Sequence, residues 1–164
     1  MIIYSKDRTR FEAVELAVRK ACDVERRELI SGRTFESAGD FNVLFTKRFF
    51  RALHAAASCG DGAYQIVCLD PDPIQYFHAH FGIYPICEFR ITDDPADILR
   101  GLGRDPGGSL ADAISSRGDA VALISTHSSW LILATRDDDS LRVHFKSESA
   151  AATFLEHLER SDHK

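Results

Sequence analysis

Apolar positions recur along this chain in two rhythms, one of near-continuous short runs and one of three-to-four spacing, and the two rhythms divide it into elements. From Asp119 to Ser147 the runs read as three consecutive strands, Ala120–Thr126, Trp130–Thr135 and Leu141–Lys146. Their connections, Thr126–Ser129 and Arg136–Ser140, are short and polar. Connections that short cannot carry a crossover, so the three strands are predicted to form an antiparallel meander. Ala63–Leu69 and Tyr84–Ile91 read as further strands, and Ile2–Tyr4 as a short first one.

The three-to-four rhythm predicts the helices. Arg10–Cys22 places Phe11, Val14, Leu16 or Ala17, and Val18 on one side, with Glu15 and Arg19 paired one turn apart on the other. Phe41–Ser58 repeats Phe41, Leu44, Phe45, Phe49, Leu53 and Ala56 behind a capping Asp40. Asp72 and Pro73 open a short helix over Ile74–Phe81, preferred to an extended strand there, and Asp94 with Pro95 opens another over Pro95–Leu102. Leu110–Ser116 forms a short helix ended by Gly118, and Ser149–Arg160 a terminal one. Asp23–Arg27 reads as a charged exit, and Glu28–Glu36 lies between a strand with a glycine interruption and a loop. The sum is a single α+β domain over residues 1–164, with a largely antiparallel sheet ending in the meander at about 120–146, packed by helices and closed by a C-terminal one.

Composition narrows the class. With 45% hydrophobic residues in 164, the chain can bury a core without covalent staples. Its four cysteines, Cys22, Cys59, Cys68 and Cys87, form no CxxC pair and no zinc-knuckle spacing, so reduced buried thiols are expected. The N-terminus enters charged residues at once, so no secretory leader is expected, and no apolar run is long enough to cross a membrane. A cytoplasmic protein is expected.

The formal net charge of −5 is unevenly placed. Met1–Ile91 holds 12 acidic and 12 basic residues, and Thr92–Lys164 holds 13 acidic and 8 basic, so the excess of five acids lies in the later part. That balance, without a basic block, argues against nucleic acid as partner. It suits a basic protein surface, because complementary fields speed encounter and suppress wrong partners.

Several groups carry candidate chemistry. His78 and His80, with Cys87 nearby in sequence, are the candidate metal ligands and the centre of an alternative reading as a small hydrolase or metal-dependent enzyme. Zinc needs three or four converging ligands, and on a helix these two imidazoles diverge. Ser125–Ser129 sets hydroxyls beside His127 but lacks the strained elbow of a serine nucleophile. Gly101, Gly103, Gly107 and Gly108 follow a helix rather than a strand and fit no phosphate loop, so no cofactor is expected. Asp137–Asp138–Asp139 lacks the spacing of a calcium loop. As a solvated turn it needs no function. Joined with Asp93, Asp94 and Glu148, it would form an acidic docking face for arginine or lysine. Trp130, the only tryptophan, either packs under a helix or, if exposed, anchors a partner.

From Tyr76 onward the order of elements resembles the C-terminal half of bacterial immunity proteins, the antidotes encoded beside polymorphic or contact-dependent growth-inhibition toxins. The resemblance is carried by YFHAHFGIYP (Tyr76–Pro85), by the loop and helix of Gly108–Ser116, and by SSWLILATRD (Ser128–Asp137). It implies a non-enzymatic protein that binds one cognate toxin, frequently a basic nuclease. The resemblance carries over no individual residue; charge placement and the lone tryptophan give the partner-binding residues expected as Asp93, Asp94, Trp130, Asp137, Asp138 and Asp139.

Overall fold

A computed structural model describes residues 2–31, 36–57, 62–108, 112–127 and 129–160, without side-chain detail for 2–3, 21–31, 36 and 160. The α+β architecture is as the sequence predicts. Seven strands form one antiparallel sheet: β1 (Ile2–Ser5), β2 (Glu36–Gly39), β3 (Ala63–Asp70), β4 (Tyr84–Arg90), β5 (Ala120–Ser125), β6 (Trp130–Thr135) and β7 (Ser140–Phe145). Their spatial order is β1-β4-β3-β5-β6-β7-β2. The meander β5-β6-β7 stands in register, with Ala120 opposite Thr135 and Ile132 opposite Val143.

Both faces of the sheet are covered, which is why its central strands read as unbroken apolar runs rather than as alternation. On one face α1 (Arg8–Ser31) buries Phe11, Val14 and Val18 against Val67, Tyr84, Ile86, Ala122, Ile124, Leu131 and Leu133. The α1 position left open between Leu16 and Ala17 goes to Ala17, which packs on this cluster, while Leu16 stands 51% exposed. The expected Glu15–Arg19 pair is present at 2.7 Å.

The other face carries α2 (Lys47–Ala57), α4 (Pro95–Leu102), α5 (Ile114–Arg117) and α6 (Glu148–Arg160). The α2–α6 pair meets through an edge-on contact of Phe49 with Phe154, ring centroids 5.7 Å apart. The long helix expected over Phe41–Ser58 is divided. Phe41–Phe45 is a 3₁₀ turn, Thr46 is extended, and α2 starts afresh at Lys47. Thr46 causes the break, since its hydroxyl accepts from Phe49 N at 3.2 Å and donates to the Val43 carbonyl at 2.7 Å, an N-cap inside an otherwise helical pattern.

Helix α1 runs through the charged stretch Asp23–Arg27 as far as Ser31. The Glu28–Glu36 stretch thus begins in helix, and 32–35 lie outside the described residues, as do Cys59 and the start of the helix expected at Leu110. The segment after Asp72 is helical as predicted, though as a π-helical turn (Pro73–His78) continuing into α3 (Ala79–Phe81). Asp72 accepts from Ile74 N and Gln75 N, both at 2.8 Å, and left-handed Gly82 ends the segment. The edge strands β1 and β2 are four residues each and both carry a register shift, features that blunt edge-to-edge pairing.

Candidate functional site

Antiparallel pairing sends each connection to one of two ends of the sheet, and this decides which candidate residues meet. Ala63 pairs with Arg90 and Tyr64 with Ser125. The Arg90–Asp94 turn, the Thr126–Ser129 connection and the start of α6 at Glu148 therefore share one end. Thr135 pairs with Ser140 and with Ala120, Asp70 pairs with Ala120, and Ser5 with Tyr84. The Arg136–Asp139 turn accordingly lies at the opposite end. Six-residue strands separate the two by about 17–20 Å.

The single face expected from Asp93, Asp94, Glu148 and Asp137–Asp139 is thus divided. Asp93 and Asp94 also have local employment. Asp93 accepts from Arg90 N at 2.8 Å, and Asp94 caps α4 through Ala96 N at 2.7 Å. Trp130 leaves the docking set altogether. It is 2% exposed, in contact with Tyr64 and Phe145, under the helical layer. Register places Phe89, Tyr64, Ser125, Trp130 and Phe145 in one row across five strands. Ser125 Oγ accepts from Ser129 N at 2.7 Å, a turn contact within the connection and not a nucleophile beside its base.

The candidate metal ligands do not converge. His78 stacks on Tyr84 at 4.7 Å, on the α1 side of the sheet, and His80 Nδ1 lies 2.7 Å from the Tyr76 carbonyl oxygen. Cys87 belongs to the core on the opposite face, where burial pushes its thiol up to about 12. Among the described residues no group of three histidine, cysteine or acidic side chains is placed to hold a metal.

What the fold does gather is carboxylates at the Asp137 end. Asp7 follows β1, Asp40 follows β2, Asp70 and Asp72 close β3, Asp119 precedes β5, and Asp137–Asp139 link β6 to β7. Direct contacts tie the connections together. Asp119 N donates to the Asp70 carbonyl at 2.8 Å, and Arg136 N to the Asp119 carbonyl at 2.7 Å. The cations at this end among the described residues include Lys6, Arg8, Arg117 and Arg136, with Arg104, whose carbonyl accepts from Tyr4 Oη at 2.7 Å, and Lys47 and Arg48, which open α2 just after the 3₁₀ turn. Arg8 is held by Glu12, Arg136 by Asp119 at 3.1 Å, and Arg117 lies over the Tyr76 ring. The carboxylates of Asp7, Asp72 and Asp139 bond to neutral backbone amides, which orient them and leave their charge in place.

The three aspartates of the turn divide by role. Asp139 has φ +43 and accepts from Phe41 N at 3.2 Å, while the Arg136 guanidinium covers the Phe41 ring at 4.5 Å. These contacts fasten the turn to the 3₁₀ segment and leave Asp137 and Asp138 exposed on a fixed frame. Asp139→Ala is expected to cost about 1–2 kcal/mol in thermal or urea unfolding, because it removes a cap and puts alanine in left-handed backbone. Asp139→Asn should restore most of it, and Asp137→Ala should stay within about 0.5 kcal/mol of wild type. A neutral Asp139→Ala would mean that the turn is not fastened there.

At the other end, His54 Nε2 lies 3.2 Å from Tyr64 Oη. Burial lowers the His54 pKa below its ordinary 6.5, with the charge of Asp93 opposing. A depressed histidine pKa means that the unfolded chain binds the extra proton, so stability is held above about pH 6.5 and falls as pH drops through that value. His54→Gln should lessen the loss of urea stability between about pH 7.5 and about pH 5.5. An unchanged loss would assign it to other groups. No helix among the described residues is long and apolar enough to cross a membrane. No family model, curated protein or solved structure matches the chain.

Proposed function

We propose that this chain is a non-enzymatic binding protein that docks a basic protein on the acidic end of its sheet, and that its biological role is immunity against a cognate bacterial toxin in the cytoplasm. The observation that carries the docking proposal is the row of exposed aspartates that five separate connections place along one end of the sheet, with Arg136 paired to Asp119. Such a surface concentrates negative potential and accelerates encounter with a cationic partner. The immunity role adds the resemblance of Tyr76–Asp137 to toxin antidotes, whose targets are frequently basic nucleases. Compared with the face expected from sequence, the proposed surface keeps Asp137 and Asp138, assigns Asp139 to holding the turn, omits Asp93, Asp94 and Trp130, and gains Asp70 and Asp72, with Asp7 and Asp40 at its two edges and Asp119 paired to Arg136. The alternative enzyme centred on His78, His80 and Cys87 is not carried further, because the three side chains face different surroundings.

Native mass spectrometry of the protein isolated from its own host tests the proposal. A one-to-one complex with a basic protein is expected. An acidic or neutral partner bound with the same stoichiometry would overturn electrostatic docking.

A further inference from the structure

We infer that the partner's contact is centred on Ile74, the exposed apolar side chain that opens the π-helical turn, with the acidic strand connections as its charged rim. The inference rests on the docking proposal above and names the part of that surface where affinity resides. Ile74 is 45% exposed, and the other large apolar side chain exposed among the described residues is Leu16 on α1. A single exposed isoleucine on a soluble protein is ordinary. Its position is what carries weight here. Asp72 accepts from the amide of Ile74 itself, Asp70 lies two residues before Asp72, and Asp70 is bonded through Asp119 to Arg136 and so to the Asp137 turn. Protein interfaces have this anatomy, a desolvated apolar centre with a charged rim.

The centre is also rigid. Pro73 and Phe77 of the turn are buried, and Asp72 fixes the first two free amides. His78 stacks on Tyr84, which stacks in turn on Phe11 at 4.9 Å. The outward position of Ile74 is therefore set before any partner arrives, which reduces the ordering cost of binding. π-Helical turns are rare and frequently lie at functional sites. Leu16 differs in each respect. It lies between Glu12 and Lys20, one turn away on either side, in a mixed-charge surface far along α1 from the strand connections. The occupant that fits Ile74 is a basic protein surface presenting an apolar side chain among its arginines or lysines. Charge complementarity commits the site to that class.

Site-specific photocrosslinking in the host tests it, with the probe installed as Ile74→p-benzoylphenylalanine, Asp137→p-benzoylphenylalanine or Leu16→p-benzoylphenylalanine. The expected result is one basic protein crosslinked from both position 74 and position 137 and not from position 16. Asp70→Lys with Asp138→Lys, which leaves the Asp72 cap of the turn in place, should suppress both adducts at least about tenfold. An adduct from position 137 without one from position 74 would overturn Ile74 as the centre while leaving the acidic end as the docking site. Equal yield from position 16 would overturn the localisation. No adduct from either 74 or 137 would overturn this inference and the docking proposal together.

Discussion

Phe49→Ala is expected to destabilise the protein by about 3–5 kcal/mol, the range for emptying a fully packed aromatic site. Phe49 is 0% exposed and touches Phe50 and Phe154 edge-on at 5.1 and 5.7 Å. It stands on α2 where that helix meets α6, and the hydrogen bond its backbone N–H donates to the Thr46 hydroxyl fixes where α2 begins. The void left by alanine would lie among side chains of two helices and the sheet, which cannot all close on it. A domain of this size holds roughly 5–15 kcal/mol in total, so the variant should unfold at a much lower urea concentration. A loss under about 1 kcal/mol would mean that α6 does not lean on α2 as described.

The second large effect concerns association. Asp137→Lys with Asp138→Lys should lower the rate at which a basic partner associates by at least about tenfold at low salt, with a smaller change in the rate at which it leaves. Exposed charges act chiefly by steering, because a single surface ion pair contributes only about 0–1 kcal/mol. Four units of charge would be exchanged on a turn held by Asp139, Phe41 and Arg136, so the field changes and the backbone does not. Salt should erase the difference, since the screening length shrinks from about 10 Å at 0.1 M to about 3 Å at 1 M. Folding stability of this double variant should stay close to wild type, since both positions are exposed.

Much of the fold was legible in the sequence. The meander stands within one residue of its expected bounds, because apolar runs bounded by short polar turns admit few other arrangements. The proline-capped segments after Asp72 and Asp94 were legible for the same local reason. Asp23–Arg27 reads as an exit in sequence because its charges interrupt the apolar stripe, yet the helix continues through it. Glutamate and arginine are nevertheless good helix formers, and a helix can continue as a solvated rod. Thr46 was missed although threonine followed by a basic amphipathic stretch is an N-cap signal. Burial of Trp130 is legible as well, as packing under a helix is the reading its apolar strand favours, and WLILA has no polar alternation because both faces of the strand are covered.

The site was less legible. Asp93, Asp94 and Asp137–Asp139 were joined by their shared charge and their place in the later half of the chain. Whether they share an end of the sheet depends on how the segment between β4 and β5 travels. It leaves one end at Arg90, passes through α4 and α5, and re-enters at Asp119 on the other. No local pattern records that crossing. The same crossing brings Asp70, Asp72 and Asp119 to the aspartate turn, a grouping visible only once strand order is known.

The most direct measurement is side-by-side capture of the host partner by two charge-reversed proteins, Asp137→Lys with Asp138→Lys at one end of the sheet and Asp93→Lys with Asp94→Lys at the other. Docking on the acidic end predicts that the partner is lost by the first and retained by the second when both are folded. Equal retention, or loss by the second alone, would contradict it.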